Sequence, residues 1–174
     1  MFRRTGRDRV NVLHKKRERV SGMAQAKKQI QVTAQWLGRR RFEAKGPSGY
    51  PLVMDSNTEN GGDGSGNSPL ELVIMGLIGC MGIGVTKLLE KMRQSLESLE
   101  ITADGIRADE IPHGVTEVHL TFDAKGEVAA SRIWQALEAE QYCPVAASLK
   151  AAIIPHLVLN GVETAPPADV PEPE

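Results

Sequence analysis

Cysteine is scarce in this chain: 174 residues carry two, Cys80 and Cys143. A disulfide-stapled secreted scaffold is therefore not expected, and a reducing cytoplasm is the default setting, in which a cysteine is either inert packing or chemistry. No apolar stretch follows the basic N-terminal residues, so a secretory leader is not expected. The longest nearly unbroken apolar run, Leu72 to Val85, falls short of the ~20 residues of a membrane span. It reads as a buried core helix, and no membrane partner is expected. His14, His113, His119 and His156 show no HxxxH or Cys/His spacing, so each reads as a loop or strand residue and nothing calls for a metal or another cofactor. Gly61 and Gly66 have the spacing of a phosphate-binding loop, but Asn67 stands where the lysine would be, which argues against nucleotide binding. There is no internal repeat.

The length suits one domain with tails. With 25% charged and 41% hydrophobic residues and a formal net charge of -1, the composition is that of a globular protein with no overall acidic or basic partner. The charge is unevenly distributed. Residues 1–28 hold ten Lys and Arg against Asp8 and Glu18, and such a block reads as a solvated extension. A transit peptide or a nucleic-acid arm is the rival reading, and Met23 offers an internal start. The division expected is a basic extension over 1–27, a folded domain over 28–163 and a Pro-rich acidic tail over 164–174.

Ile30, Val32, Ala34 and Trp36 alternate with polar residues, giving a first strand. "RRFEA" and the stretch Leu52 to Met54 add two more, so the domain opens as a strand meander. "DSNTENGGDGSGN", residues 55–67, reads as a flexible loop. Then Ser68 fits an N-cap, Pro69 the first helical position and Glu71 the third, a capping box with proline in its favoured place. The helix that follows is apolar around nearly its whole girth up to Thr86, so its first half is expected to be fully buried. Two strands follow, centred on Leu99 to Ala103 and Val118 to Phe122, then a helix carrying Val128, Ile133, Trp134 and Leu137. Pro144 suggests another helix start, and "HLVLNGV" a last strand. Strands grouped in runs imply an α+β fold with antiparallel sheet. A helix buried on all sides needs more partners than one such sheet provides, which points to a homodimer with that helix at its centre.

The two cysteines sit in distinct settings. Around Cys80, "GLIGCMGIGV" places Gly76, Gly79, Gly82 and Gly84, each costing a helix interior about 1 kcal/mol relative to alanine. Gly76, Cys80 and Gly84 fall on one stripe, which admits either close packing by another backbone or a groove to the sulfur. Cys143 precedes Pro144 and would be an N-cap, where free N–H groups favour a thiolate. One thiol in a glycine groove and one at a helix start point to paired redox work; a small buried cysteine and a plain turn are the structural alternatives.

"SPLELVIMGLIGCMGIGV" and "YCPVAASLK" together resemble the two signatures of the OsmC/Ohr family of proteins that reduce organic hydroperoxides, and "QWLGRRRFEAKGPSGYPLVMD" resembles the N-terminal meander of its YhfA-like branch. The resemblance implies an OsmC-like intertwined homodimer whose sheets wrap two long central helices, with sites at the subunit interface. It implies that Cys80 attacks the peroxide, becoming a sulfenic acid, and that Cys143 resolves it to a disulfide. It further implies an Arg beside the thiol and a Glu orienting that Arg. Arg39, Arg40 and Arg41 lie where the Arg is expected, with Arg41 the first choice. The Glu position directly after the proline is Leu70 here; Glu71 is one residue later, about 100° around the helix, and already has a capping role. A dithiol or lipoyl-type reductant is the implied recycling partner. The other reading consistent with Leu70 is a noncatalytic dimer binding a small hydrophobic molecule in its interfacial groove.

Overall fold

The structure, a computed structural model, describes residues 29–139 and 143–167. The basic extension over 1–27 and most of the acidic tail over 164–174 lie outside the described residues. Strands β1 (Thr33–Gly38), β2 (Arg41–Lys45) and β3 (Pro51–Met54) form an antiparallel meander in that order. It pairs Trp36 with Phe42 and Phe42 with Met54. The first strand begins three residues after Ile30, which is exposed together with Val32. Helix α1 (Pro69–Lys91) follows, then the two long antiparallel strands β4 (Ser95–Arg107) and β5 (Val115–Glu127). Helix α2 (Ala130–Ala139) leads by way of Cys143 to β6 (Ala152–Leu159) and the short β7 (Val162–Glu163). These strands make a second sheet in the order β4-β5-β6-β7.

The segment between residues 54 and 68 is more ordered than its glycine content suggests. Asp55 is 2% exposed and gathers the loop around its carboxylate. It accepts the N–H of Ser56 (2.8 Å), of Asp63 (3.2 Å) and of Ser65 (3.0 Å), and the Ser65 hydroxyl (2.8 Å). The backbone closes so tightly here that a Cβ on Gly62 would lie 1.9 Å from the Ser56 carbonyl oxygen. From outside, Arg39 ties the β1–β2 turn to this loop through an ion pair with Asp63.

Helix α1 starts as its capping box requires: the Glu71 N–H is 3.3 Å from Ser68 Oγ, and the Ser68 N–H donates to Glu71 Oε2 at 2.6 Å. It stops where Arg93 adopts the left-handed φ of 57° and the Gln94 N–H reaches back to the Leu89 carbonyl at 3.0 Å, a closure that satisfies carbonyls left over by the last turn. By length and apolar composition α1 would suffice to cross a membrane. In the fold one face of it is a core element: Leu77, Met81, Val85 and Leu89, spaced by four, are buried against β4 and α2. Val118, Leu120, Phe122 and Ala124 of β5, Leu157 of β6 and Ile133, Trp134 and Leu137 of α2 complete the core. Burial of one such aliphatic side chain is worth about 1.5–3 kcal/mol, so this face alone supplies the reason for the helix to dock.

Three features depart from the sequence reading. The first half of α1 is not buried all round within one chain: Val73 (41%), Met75 (48%) and Ile83 (71%) are exposed. The second sheet is not antiparallel throughout, because α2 carries the chain back across the core and β6 enters parallel to β5. Among the described residues no further α-helix follows Pro144; a short 3-10 turn over Ala146–Ser148 is all that forms, because Ala152 is already committed to pairing with Glu117.

Candidate functional site

Cys80 lies in the fourth turn of α1, half-buried at the edge of the core face. Cys143 lies in the crossing from α2 to β6 and is 3% exposed. The fold brings them together from 63 positions apart into a disulfide, with Cα atoms 6.4 Å from one another, a span a disulfide ordinarily bridges. The Ala146 N–H points at Cys143 Sγ with N and S 3.5 Å apart, and the Ala147 N–H donates to the Cys143 carbonyl at 2.9 Å. The expected N-cap at Cys143 is not formed: the 3-10 turn over Ala146–Ser148 starts from Val145, and Cys143 keeps only this N–H contact.

The glycines around Cys80 do two different things. A Cβ on Gly82 would come within 2.9 Å of Ile101 Cδ1, so Gly82 lets α1 settle closely on β4. A Cβ on Gly76 or Gly79 would meet nothing within 4 Å. Those two positions are exposed with Met75 and Ile83, and spacing by four puts Met75, Gly79 and Ile83 on one line along the helix. The side of α1 next to Cys80 is therefore open and apolar within one chain.

Of the three candidate arginines, Arg39 is engaged by Asp63 and by the Gly61 carbonyl at 3.3 Å. Arg41 opens β2, and its Nε is buried with no hydrogen-bond partner among the described residues. Within one chain neither forms an ion pair with Glu71, whose carboxylate serves the capping box. Leu70 lines a shallow apolar cleft of about 130 Å³ with Val73, Ile74, Val118, Leu149 and Lys150. That is smaller than the roughly 300–1,000 Å³ of pockets that enclose a ligand.

One cluster left no trace as a motif. His119 and His156 face each other across the parallel β5–β6 pair, with Nδ1 and Nε2 3.0 Å apart, and the other nitrogen of His119 meets Glu117. The two histidines are 37 positions apart, and only the β5–β6 register, Thr121 opposite His156, brings them to one face. Among the described residues no group of three or more His, Cys, Asp and Glu is arranged to hold a metal.

Comparison with known proteins bears on this site. Residues 62–156, which include both cysteines, match the family described as OsmC-like protein. Protein YhfA of Escherichia coli strain K12 is 33% identical over 128 residues, 71% of this chain and 92% of that protein. Among solved structures, a hypothetical protein from Aquifex aeolicus VF5 superposes with a TM-score of 0.67 at 23% identity, covering 76% of this chain and 97% of that one. An organic hydroperoxide resistance protein OsmC from Legionella pneumophila gives 0.55 at 18% identity, covering 78% and 98%. These two likenesses concern the fold, whereas the family match and the YhfA relative concern descent: the chain belongs to the OsmC/Ohr family, with a homologue in YhfA.

Proposed function

We propose that the protein is a thiol-dependent redox enzyme that reduces organic hydroperoxides. The observation that carries the reading is the Cys80–Cys143 disulfide, formed between α1 and the α2–β6 crossing. The Cys80 thiolate attacks the peroxide and the O–O bond breaks; the alkoxide leaves and takes up the proton that the thiol had given up, becoming the alcohol, and Cys80 becomes a sulfenic acid. The Cys143 thiol then condenses with it, forming the S–S bond and releasing water. Two electrons from a dithiol or lipoyl-type reductant return both sulfurs to thiols. Arg41 is the cation assigned to the Cys80 thiolate, with the unpartnered Nε as its motive, and Arg39 and Arg40 stand behind it.

The working unit in this proposal is a homodimer. The meander's Trp36, Phe42, Tyr50 and Leu52 are exposed, as are Met75 and Ile83 of α1. Strands β1, β2 and β3 touch chiefly one another. Apolar surfaces this extensive mark an interaction site, and a second copy supplies both the cover for α1 and the footing for the meander. A cytoplasmic setting follows from the need to keep the pair reducible.

Leu70 favours one other reading, in which the dimer binds a small apolar molecule next to α1 without chemistry. Intact mass after stoichiometric cumene hydroperoxide separates the two. Loss of two hydrogens in the reduced wild type, and none in Cys80→Ser, is the outcome expected of the enzyme. Thiols that stay unmodified leave the ligand-binding reading.

A further inference from the structure

We infer that the reductant opens the disulfide by attacking Cys80, so that the mixed disulfide forms on Cys80 and Cys143 leaves as the thiolate. This rests on the redox reading above and adds to it which sulfur the reductant meets. In thiol–disulfide exchange the attacking thiolate must reach one sulfur in line with the bond being broken, and the better-stabilised thiolate leaves faster.

Access decides the direction, since Arg41 in the reading above would favour Cys80 as the leaving thiolate. Cys143 is 3% exposed, and it belongs to the core cluster with residues of α1, β5, α2 and β6 of its own chain. A second subunit can add cover to that core but cannot uncover it, so Cys143 stays out of reach whatever the assembly. Cys80 is half-buried and has Gly76 and Gly79 beside it, where even a methyl group would meet nothing within 4 Å. The second subunit proposed above covers this side of α1, yet the peroxide has to reach Cys80 there; an approach that the chemistry already requires at one sulfur and a closed core around the other set the direction of attack.

The leaving side is prepared as well. The Ala146 N–H already points at Cys143 Sγ, 3.5 Å from N to S, and an N–H aimed at sulfur favours the charge that appears as the S–S bond breaks. The sequence of bonds is then fixed. A reductant thiolate forms an S–S bond to Cys80 as the Cys80–Cys143 bond breaks, and the electron pair goes to Cys143. The reductant's second thiol, once deprotonated, attacks its own mixed-disulfide sulfur. Cys80 is released as a thiolate, and the reductant leaves as its cyclic disulfide, two electrons poorer.

The test uses the oxidised full-length protein and glutathione, a monothiol that cannot complete the second step. After a short reaction, acid quench and alkylation of freed thiols with N-ethylmaleimide, peptide mapping locates the two labels. The expected result is glutathione on Cys80 and maleimide on Cys143, in roughly tenfold or greater excess over the reverse. Glutathione on Cys143, or an even split, overturns the inference, as does a disulfide that glutathione cannot open without denaturant. None of these outcomes bears on whether peroxide forms the disulfide, which the cumene hydroperoxide experiment reads separately.

Discussion

Asp55 accepts both the backbone N–H and the hydroxyl of Ser65, ten residues along the chain, and so closes the loop that leads into α1. The Ser65 N–H and hydroxyl are the leading causes that hold the Asp55 carboxyl down to about 2, helped by the N–H groups of Ser56 and Asp63 and opposed by burial.

Because the folded value lies below the unfolded one of about 3.9, this carboxylate contributes stability above pH 4 and loses it as pH falls from 4 through 2. Asp55→Asn is expected to be less stable at neutral pH and to show a flatter dependence of melting temperature on pH in that window. A variant with the same acid slope as wild type would assign the slope to other carboxylates.

Oxidation closes a loop spanning the 63 positions between Cys80 and Cys143. The chain-entropy relation gives about 4 kcal/mol for a loop of that length, an upper figure when the reduced state retains structure. Guanidinium unfolding of the oxidised wild type against Cys143→Ser is expected to show a higher midpoint for the former. Equal midpoints would mean that the crosslink restrains nothing the unfolded chain uses.

Glu71 has two candidate roles that a pair of variants separates. Glutamine can still serve a capping box, so Glu71→Gln is expected to keep most of the stability, while Glu71→Ala loses about 1 kcal/mol, the usual worth of a cap. If the peroxide rate of Glu71→Gln stays within about twofold of wild type, a span of under 0.5 kcal/mol, the residue is a cap alone. A loss of tenfold or more would give its charge a part in the chemistry. Arg41→Ala, in contrast, is expected to slow peroxide attack at Cys80 by at least about tenfold, a loss of roughly 1.4 kcal/mol; an unchanged rate would shift the assignment to Arg39 or Arg40.

Ile83 is 71% exposed on the open side of α1. Placing a charge there leaves the single chain's core untouched, yet it would desolvate an ammonium in any interface formed on that face. Ile83→Lys is therefore expected to sediment as a monomer at micromolar concentration where the wild type sediments as a dimer. A dimeric variant would move the interface to another face.

Local rules read much of this fold and little of its cross-chain geometry. Ser68, Pro69 and Glu71 mark the start of α1 without help from the rest of the chain, and alternation at Val118, Leu120 and Phe122 marks the buried face of β5. Pro144 misleads because "AASLKAAI" has the composition of a helix; pairing of β6 with β5 from Ala152 onward overrides that propensity. Asp55 looks like one more polar loop residue, since the donors it collects come from Ser56, Asp63 and Ser65 only once the loop has closed. The meeting of His119 with His156 depends wholly on parallel register. For the two cysteines, glycine spacing and a following proline raise the question of chemistry, but only the fold shows which sulfur is enclosed.

The exposed meander also divides the chain by the order of its folding reaction. The core built on β4, β5, β6, α1 and α2 closes within one chain, so its opening is unimolecular and indifferent to dilution. Strands β1 to β3 lean on the 55–67 loop but have no more than marginal contact with the helices and the second sheet of their own chain, so in the proposed dimer their protection is bimolecular. Amide hydrogens over 33–54 would then exchange faster on dilution while those over 115–127 keep their rates, and the first strands along the chain would be the last to become stable.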